Sequence, residues 1–153
     1  MKADIQLRRA QSDDARGVAE VLISSRADYL PFAPSAHPPD DVRRWVSEHL
    51  VTSCLVTVAD HGGEIVGVLA TSHDGRFSWI SQLFVRPGWV GQGIGSALLT
   101  SAHGVLRRPI RLYTFQANVG ARRFYERHGY EAIEFTDGQA NEERCPDVLY
   151  ELR

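Results

Sequence analysis

The 153-residue chain is 43% apolar and 24% charged, with a formal net charge of -2, the balance of an ordinary globular domain with one core. No basic stripe marks it for nucleic acid and no apolar run approaches the roughly 20 residues of a membrane span, so neither a nucleic acid nor a membrane is expected as a partner. The six histidines and two cysteines are scattered singly, which points to no metal and to reduced thiols, and Met1 to Arg9 holds charge without a signal-type apolar segment; a cytoplasmic single domain over 1–153 is the expectation.

In chain order, Ile5-Gln6-Leu7-Arg8 alternates apolar and polar, the period of a half-buried strand. Ser12, Asp13 and Asp14 form an acidic helix start, and Val18, Val21 and Leu22 continue at helical spacing to about Ala27. Four prolines between Tyr29 and Pro39 impose a loop. Pro39 suits the first turn of a second helix with the apolar face Val42, Trp45, Val46 and Leu50, which puts Trp45 in the core and leaves Trp89 as a loop-packing aromatic. The β-rich runs Cys54 to Ala59 and Glu64 to Ser72 are joined by Asp60-His61-Gly62-Gly63, a hairpin signal. Asp74-Gly75 then turns the chain into a strand from about Phe77 to Val85, completing a meander.

After the meander the period changes. Ile94, Ala97, Leu98, Ala102 and Val105 lie on one helix face, and Ile110 to Phe115 reads as a strand. Asn118 can cap a helix with Ala121, Phe124, Tyr125 and His128 inward, ended by Gly129. Strands at Tyr130 to Phe135 and Val148 to Leu152 close the chain. The order β-α-α-β-β-β-α-β-α-β-β predicts an α/β fold: a mixed, mostly antiparallel sheet with helices on both faces.

Val85 to Leu99 carries the most chemistry. A strand ends, a loop turns, and a helix starts within Gly91-Gln92-Gly93-Ile94-Gly95-Ser96. Alternating glycines leave no Cβ in the way of a ligand, and helix N-terminal N–H groups attract phosphate; a plain strand-helix connection would use glycines equally well. Ser96, where a nucleotide P-loop needs Lys, excludes that loop, and the GxGxG spacing after a meander does not fit a dinucleotide fingerprint.

Leu83 to Leu99 resembles motif A of the GNAT superfamily of N-acetyltransferases, Q/R-x-x-G-x-G/A, with its frame on Val90 to Gly95 and Val90 standing where Arg or Gln is usual. The resemblance implies acetyl-coenzyme A as co-substrate. Its pyrophosphate would be cradled by Val90, Gly91, Gln92, Gly93, Ile94, Gly95 and Ser96. Its pantetheine arm would lie along Leu83-Phe84-Val85, the backbone of Leu83 and Val85 pairing with it like an added strand. Asn118 to Tyr130 is similar to the family's motif B, N-x-x-A-x-x-F-Y-x-x-x-G-F/Y, at every defining position. Asn118 and Tyr125 fall on nearly one helix face, roughly 10 Å apart along the axis, within reach of one extended arm. The resemblance also implies that the strands carrying motif A and Ile110 to Phe115 splay, with the thioester in the gap.

Acetyl transfer to an amine needs a neutral nucleophile and a stabilised leaving thiolate. Tyr125 is the candidate for the second task, because a phenol can hydrogen-bond the developing charge. No carboxylate stands on the motif A strand, where Trp79, Ser81 and Gln82 are found. His73 and Asp74, at the preceding turn, are the candidate bases, although proximity alone can suffice once a neutral amine is bound. The acceptor is expected near Arg26, Tyr29, Phe32 and His37 and the acidic loop Asn141, Glu142, Glu143 and Asp147. The expected reaction is acetylation of a small-molecule primary amine. Acetylation of a protein N-terminus or lysine, and a non-catalytic acyl-coenzyme A sensor, stay open. Family resemblance makes a homodimer possible.

Overall fold

A computed structural model describes residues 4–53 and 55–153; Cys54, placed above at a strand start, lies outside the described residues. The strands are β1 Gln6–Arg9, β2 Leu55–His61, β3 Glu64–His73, β4 Ser78–Val85, β5 Ile110–Phe115, β6 Glu131–Phe135 and β7 Asp147–Leu152. They form one sheet in the order β1-β2-β3-β4-β5-β7-β6. The longer helices are α1 Ala15–Tyr29, α2 Pro39–Trp45, α3 Ile94–His103 and α4 Val119–Arg127. The β4–β5 pairing is parallel and the other five are antiparallel, the mixed sheet expected.

Local chemistry sets the meander. Gly62 and Gly63 both take positive φ, 57° and 98°, the requirement of a two-residue I′ hairpin. The Asp60 carboxylate accepts a 2.7 Å hydrogen bond from the Gly63 N–H and fixes the turn. β3 is buried from Ile65 to Thr71, because helices cover both of its faces. On one face α1 buries Val18, Val21 and Leu22 against Val58, Val68 and Ala70. On the other, α3 buries Ile94, Leu98, Leu99 and Ala102, each large side chain contributing about 1.5–3 kcal/mol. A Cβ added at Gly67 would lie 2.9 Å from Ile94 Cγ2 and 3.0 Å from Leu98 Cδ1, so α3 rests on bare backbone there.

Two sequence expectations are corrected here. α3 ends at His103, so Val105 lies past the helix and is 84% exposed rather than on its buried face. Trp45 is not a core residue but 40% exposed. The helix widens into a π turn over Val46–Leu50, where Val46 and Leu50 alone take the buried positions.

The feature that positions the site is the parting of β4 and β5. They pair only at Ser78 with Ile110 and Trp79 with Arg111. That closed end is clamped by Ser78, whose Oγ donates to the Arg107 carbonyl at 2.6 Å, and by the Trp79 ring stacked on Tyr113 at 5.9 Å. In the β3–β4 ladder Ala70 faces Gln82 while Thr71 faces Ile80, leaving Ser81 as an extra residue on β4. Such a bulge bends its strand. The bend falls where β4 stops pairing with β5, and a gap opens toward Val85.

Candidate active site

Hydrogen-bond phase decides which backbone groups look into the gap. Arg86 N–H donates to the Val66 carbonyl at 2.8 Å, so Arg86 and Phe84 turn toward β3. By antiparallel alternation Leu83 and Val85 present their N–H and C=O groups to the gap. Ser25, fully buried on α1, donates its hydroxyl to the Val85 carbonyl at 2.9 Å. The Leu83 carbonyl and the Leu83 and Val85 N–H groups are left as an open strand edge.

The gap leads into the glycine turn. Gly88, Gly91 and Gly93 have φ of 91°, 85° and 83°, and Gly93 begins α3 with no side-chain cap. The first helical bond runs from Ala97 N–H to the Gly93 carbonyl at 3.0 Å, so the N–H groups of Ile94, Gly95 and Ser96 have no helical acceptor. With the positive end of the helix dipole they make an anion site. Nothing lies within 4 Å of a Cβ position at Gly91, and Val90 is 58% exposed. The backbone offers this binding surface whatever side chain stands at Val90.

On α4, Asn118 caps its helix, its Oδ1 accepting from Ala121 N–H at 3.2 Å. Tyr125 is 8% exposed and packs edge-on against Phe124 and Tyr130, at 5.2 Å and 5.7 Å. Burial pushes its phenol well above the usual value of 10.0. Among the described residues its hydroxyl has no hydrogen-bond partner. Among the described residues the single fully covered, unpartnered side-chain polar atom is Arg26 Nε, so the Tyr125 oxygen keeps some access to solvent.

His73 and Asp74 do not join this arrangement. They sit at the turn before β4, the closed end of the gap. The Asp74 carboxylate accepts from the N–H groups of Arg76 and Phe77 at 3.0 Å and 2.8 Å and from Trp79 Nε1 at 2.8 Å. Those donors hold it down to about 2. His73 Nδ1 accepts from Gly75 N–H at 3.0 Å. Both side chains take part in the hydrogen bonding of the turn.

On the α1 face of the sheet a cavity of about 780 Å³ borders β4 at Gln82 and Phe84. Leu22, Leu30, Val42 and Trp45 give it apolar walls, and Arg26, His37, Glu142 and Glu143 give it charge. Arg26 pairs with Glu143, and His37 Nε2 lies 2.9 Å from Glu142, joining the α1–α2 segment to the β6–β7 loop. A second cavity of about 440 Å³ borders β5 at Tyr113 and Phe115 and includes Glu134, Asn141, Glu143 and Asp147. Of the residues expected around the acceptor, Arg26, His37, Glu142 and Glu143 line the larger cavity, and Asn141, Glu143 and Asp147 line the smaller. Tyr29 is 37% exposed and outside both linings, and Phe32 stands edge-on to Phe115 at 6.1 Å. Sequence reasoning missed Trp45 and Gln82 as cavity residues. Gln82 had a usable signal, since strand alternation sets it opposite to Leu83; the exposure of Trp45 had none.

Residues 19–130 match the Acetyltransferase (GNAT) family. Over 135 residues the chain is 29% identical to the uncharacterised N-acetyltransferase YafP of Escherichia coli (strain K12), spanning 85% of this chain and 83% of that protein. Its fold matches PaiA N-acetyltransferase of Thermoplasma acidophilum, solved in complex with coenzyme A, with a TM-score of 0.77 at 20% identity over 98% and 99% of the two chains. It likewise matches a GNAT-family acetyltransferase of Bacillus cereus ATCC 10987, TM-score 0.75 at 16% identity over 97% and 96%. The family match covers both the parted strands with their glycine turn and the Asn118 to Tyr130 motif, and the chain belongs to the acetyltransferase (GNAT) family.

Proposed function

We propose that the protein transfers the acetyl group of acetyl-coenzyme A to a primary amine of a small molecule by direct attack on the thioester. The observation that carries this reading is the gap between β4 and β5, which has an uncapped helix N-terminus at its open end and a cavity on its α1 face. The residues present suit the coenzyme. The free N–H groups of Ile94, Gly95 and Ser96 fit a pyrophosphate, and the Leu83–Val85 edge fits an amide-bearing arm. Bound there, acetyl-coenzyme A would supply an acyl thioester whose C–S bond breaks as the amine nitrogen forms the new C–N bond, the proton lost by the nitrogen ending on the coenzyme thiol.

Burial raises the Tyr125 phenol above its ordinary value and favours its protonated form. Full proton transfer from an ordinary phenol to a thiolate is already uphill by roughly 2 kcal/mol, and burial steepens it. Tyr125 therefore acts as a hydrogen-bond donor to the developing thiolate. Neither His73 nor Asp74 is a proton acceptor in this reading, and binding the amine beside the thioester supplies much of the acceleration. The Arg26–Glu143 ion pair and the His37–Glu142 contact that tie the β6–β7 loop to the α1–α2 segment favour a small acceptor over a protein segment, which needs an open groove.

Calorimetric titration with coenzyme A, acetyl-coenzyme A and ATP tests the reading. Micromolar binding of both coenzymes without ATP binding is expected, followed by amine-dependent thiol release. Absence of coenzyme binding would reduce the glycine turn to a structural connection and remove the proposal.

A further inference from the structure

Resting on the acyl-transfer reading above, we infer that the acceptor is a hydrophobic primary amine with no carboxylate beside its nitrogen, and that its ammonium docks on Glu143. Among the described residues Glu143 alone lines both cavities. The larger cavity borders β4 through Gln82 and Phe84, and the smaller borders β5 through Tyr113 and Phe115. Those strands are the two banks of the gap, so the Glu143 carboxylate stands at the junction of the two chambers on the acceptor side. It comes from the β6–β7 loop and supplies the negative charge that β4 lacks. Glu143 Oε2 accepts from Arg26 Nη2, while Oε1 has no partner among the described residues. An ammonium, with three donors, fits the open oxygen, and it gives its extra proton to solvent before the neutral nitrogen attacks the thioester.

The surroundings select the rest of the molecule. The smaller cavity holds Glu134 and the buried Asp147 beside Glu143. Asp147 is held by neutral donors, the Thr136 hydroxyl and Asn141 Nδ2. Tyr113 and Phe115 line the same cavity with aromatic side chains. A carboxylate on the carbon next to the amine would sit among like charges, whereas an ammonium is attracted by all of them. The larger cavity, walled by Leu22, Leu30, Val42, Trp45 and Phe84, takes an apolar body. Arg26 is the feature that favours the opposite choice: its covered Nε lacks a partner and a substrate carboxylate would satisfy it.

The experiment sets those choices against each other on the intact protein. Phenethylamine and pentylamine are compared with phenylalanine and norleucine, which differ from them by the carboxylate alone. Thiol release is measured with acetyl-coenzyme A, and binding is followed by tryptophan fluorescence with coenzyme A present. The amines are expected to exceed the amino acids by about tenfold or more in kcat/KM. Glu143→Gln is expected to raise the amine KM by about tenfold while coenzyme affinity holds; where that variant fails to fold, the wild-type comparison decides alone. An unchanged amine KM in a folded Glu143→Gln overturns the assignment of Glu143. Equal or better use of the amino acids overturns the inference and gives Arg26 a carboxylate to bind. Binding of none of these probes while coenzyme A still binds also overturns it and leaves the acyl-transfer reading standing. Loss of coenzyme A binding removes both.

Discussion

Ser25, fully buried in α1, holds the carbonyl of Val85 at the end of β4 with a 2.9 Å hydrogen bond. Helix α1 and strand β4 are thereby tied at the point where β4 has lost its partner β5. Ser25→Ala leaves a carbonyl without its donor, a loss of about 1–3 kcal/mol, which in a domain of this size lowers Tm by several degrees. Thermal unfolding followed by circular dichroism checks this, and an unchanged Tm would show that solvent satisfies Val85 equally well.

Tyr125→Phe removes a hydroxyl while keeping the ring that packs on Phe124 and Tyr130. Loss of one preorganised donor to a developing anion costs on the order of 10²-fold in rate. We expect kcat to fall by about that factor while the calorimetric affinity for coenzyme A stays within about twofold. Because the phenol is raised by burial, the wild-type rate should show no alkaline limb from Tyr125 below the ordinary phenol range. Wild-type turnover in Tyr125→Phe would remove it from the chemistry.

Much of this site is legible in the sequence because its parts are local. Gly62-Gly63 has the left-handed backbone that a hairpin needs, and Gly91 to Ser96 fixes a strand end and a helix start within a few residues. Asn118 caps α4 in the motif that also carries Tyr125. What could not be read depends on register or on packing across long separations. The extra residue Ser81 exists only relative to Ala70 and Thr71 on β3. The place of Glu143 depends on Arg26, 117 residues away, and nothing in its own loop distinguishes it from Glu142. His73 and Asp74 show the converse: the sequence does not display the hydrogen bonds that both accept from the Gly75 turn.

Asp74 therefore yields a pH prediction of a structural kind. Its folded value, about 2, lies below its ordinary 3.8, chiefly because the Phe77 N–H and the Trp79 indole donate to it. A depressed carboxylate stabilises the fold above its unfolded value, and that stabilisation is lost as pH falls from about 3.8 toward about 2. Asp74→Asn should lower Tm at pH 7, and the difference from wild type should shrink across that acid window. Its turnover near neutrality should follow the wild-type pH profile. A lost or shifted basic limb in the rate profile would restore Asp74 as a proton acceptor.

Gly67 links the core to the proposed coenzyme site. A methyl there would meet Ile94 Cγ2 at 2.9 Å, Leu98 Cδ1 at 3.0 Å and Ala59 Cβ at 3.2 Å, and Ile94 is the first residue of α3. Relief requires α3 to move off β3, and its N-terminus carries the free N–H groups of Ile94, Gly95 and Ser96. Overpacking of this kind costs about 1–3 kcal/mol, so Gly67→Ala should lower Tm and, in the folded fraction, weaken coenzyme A binding several-fold by calorimetry. Adding Leu98→Val, which returns volume next to the new methyl, should recover part of both losses together. Recovery of Tm without recovery of affinity would separate the seating of α3 from the anion site and place the pyrophosphate elsewhere.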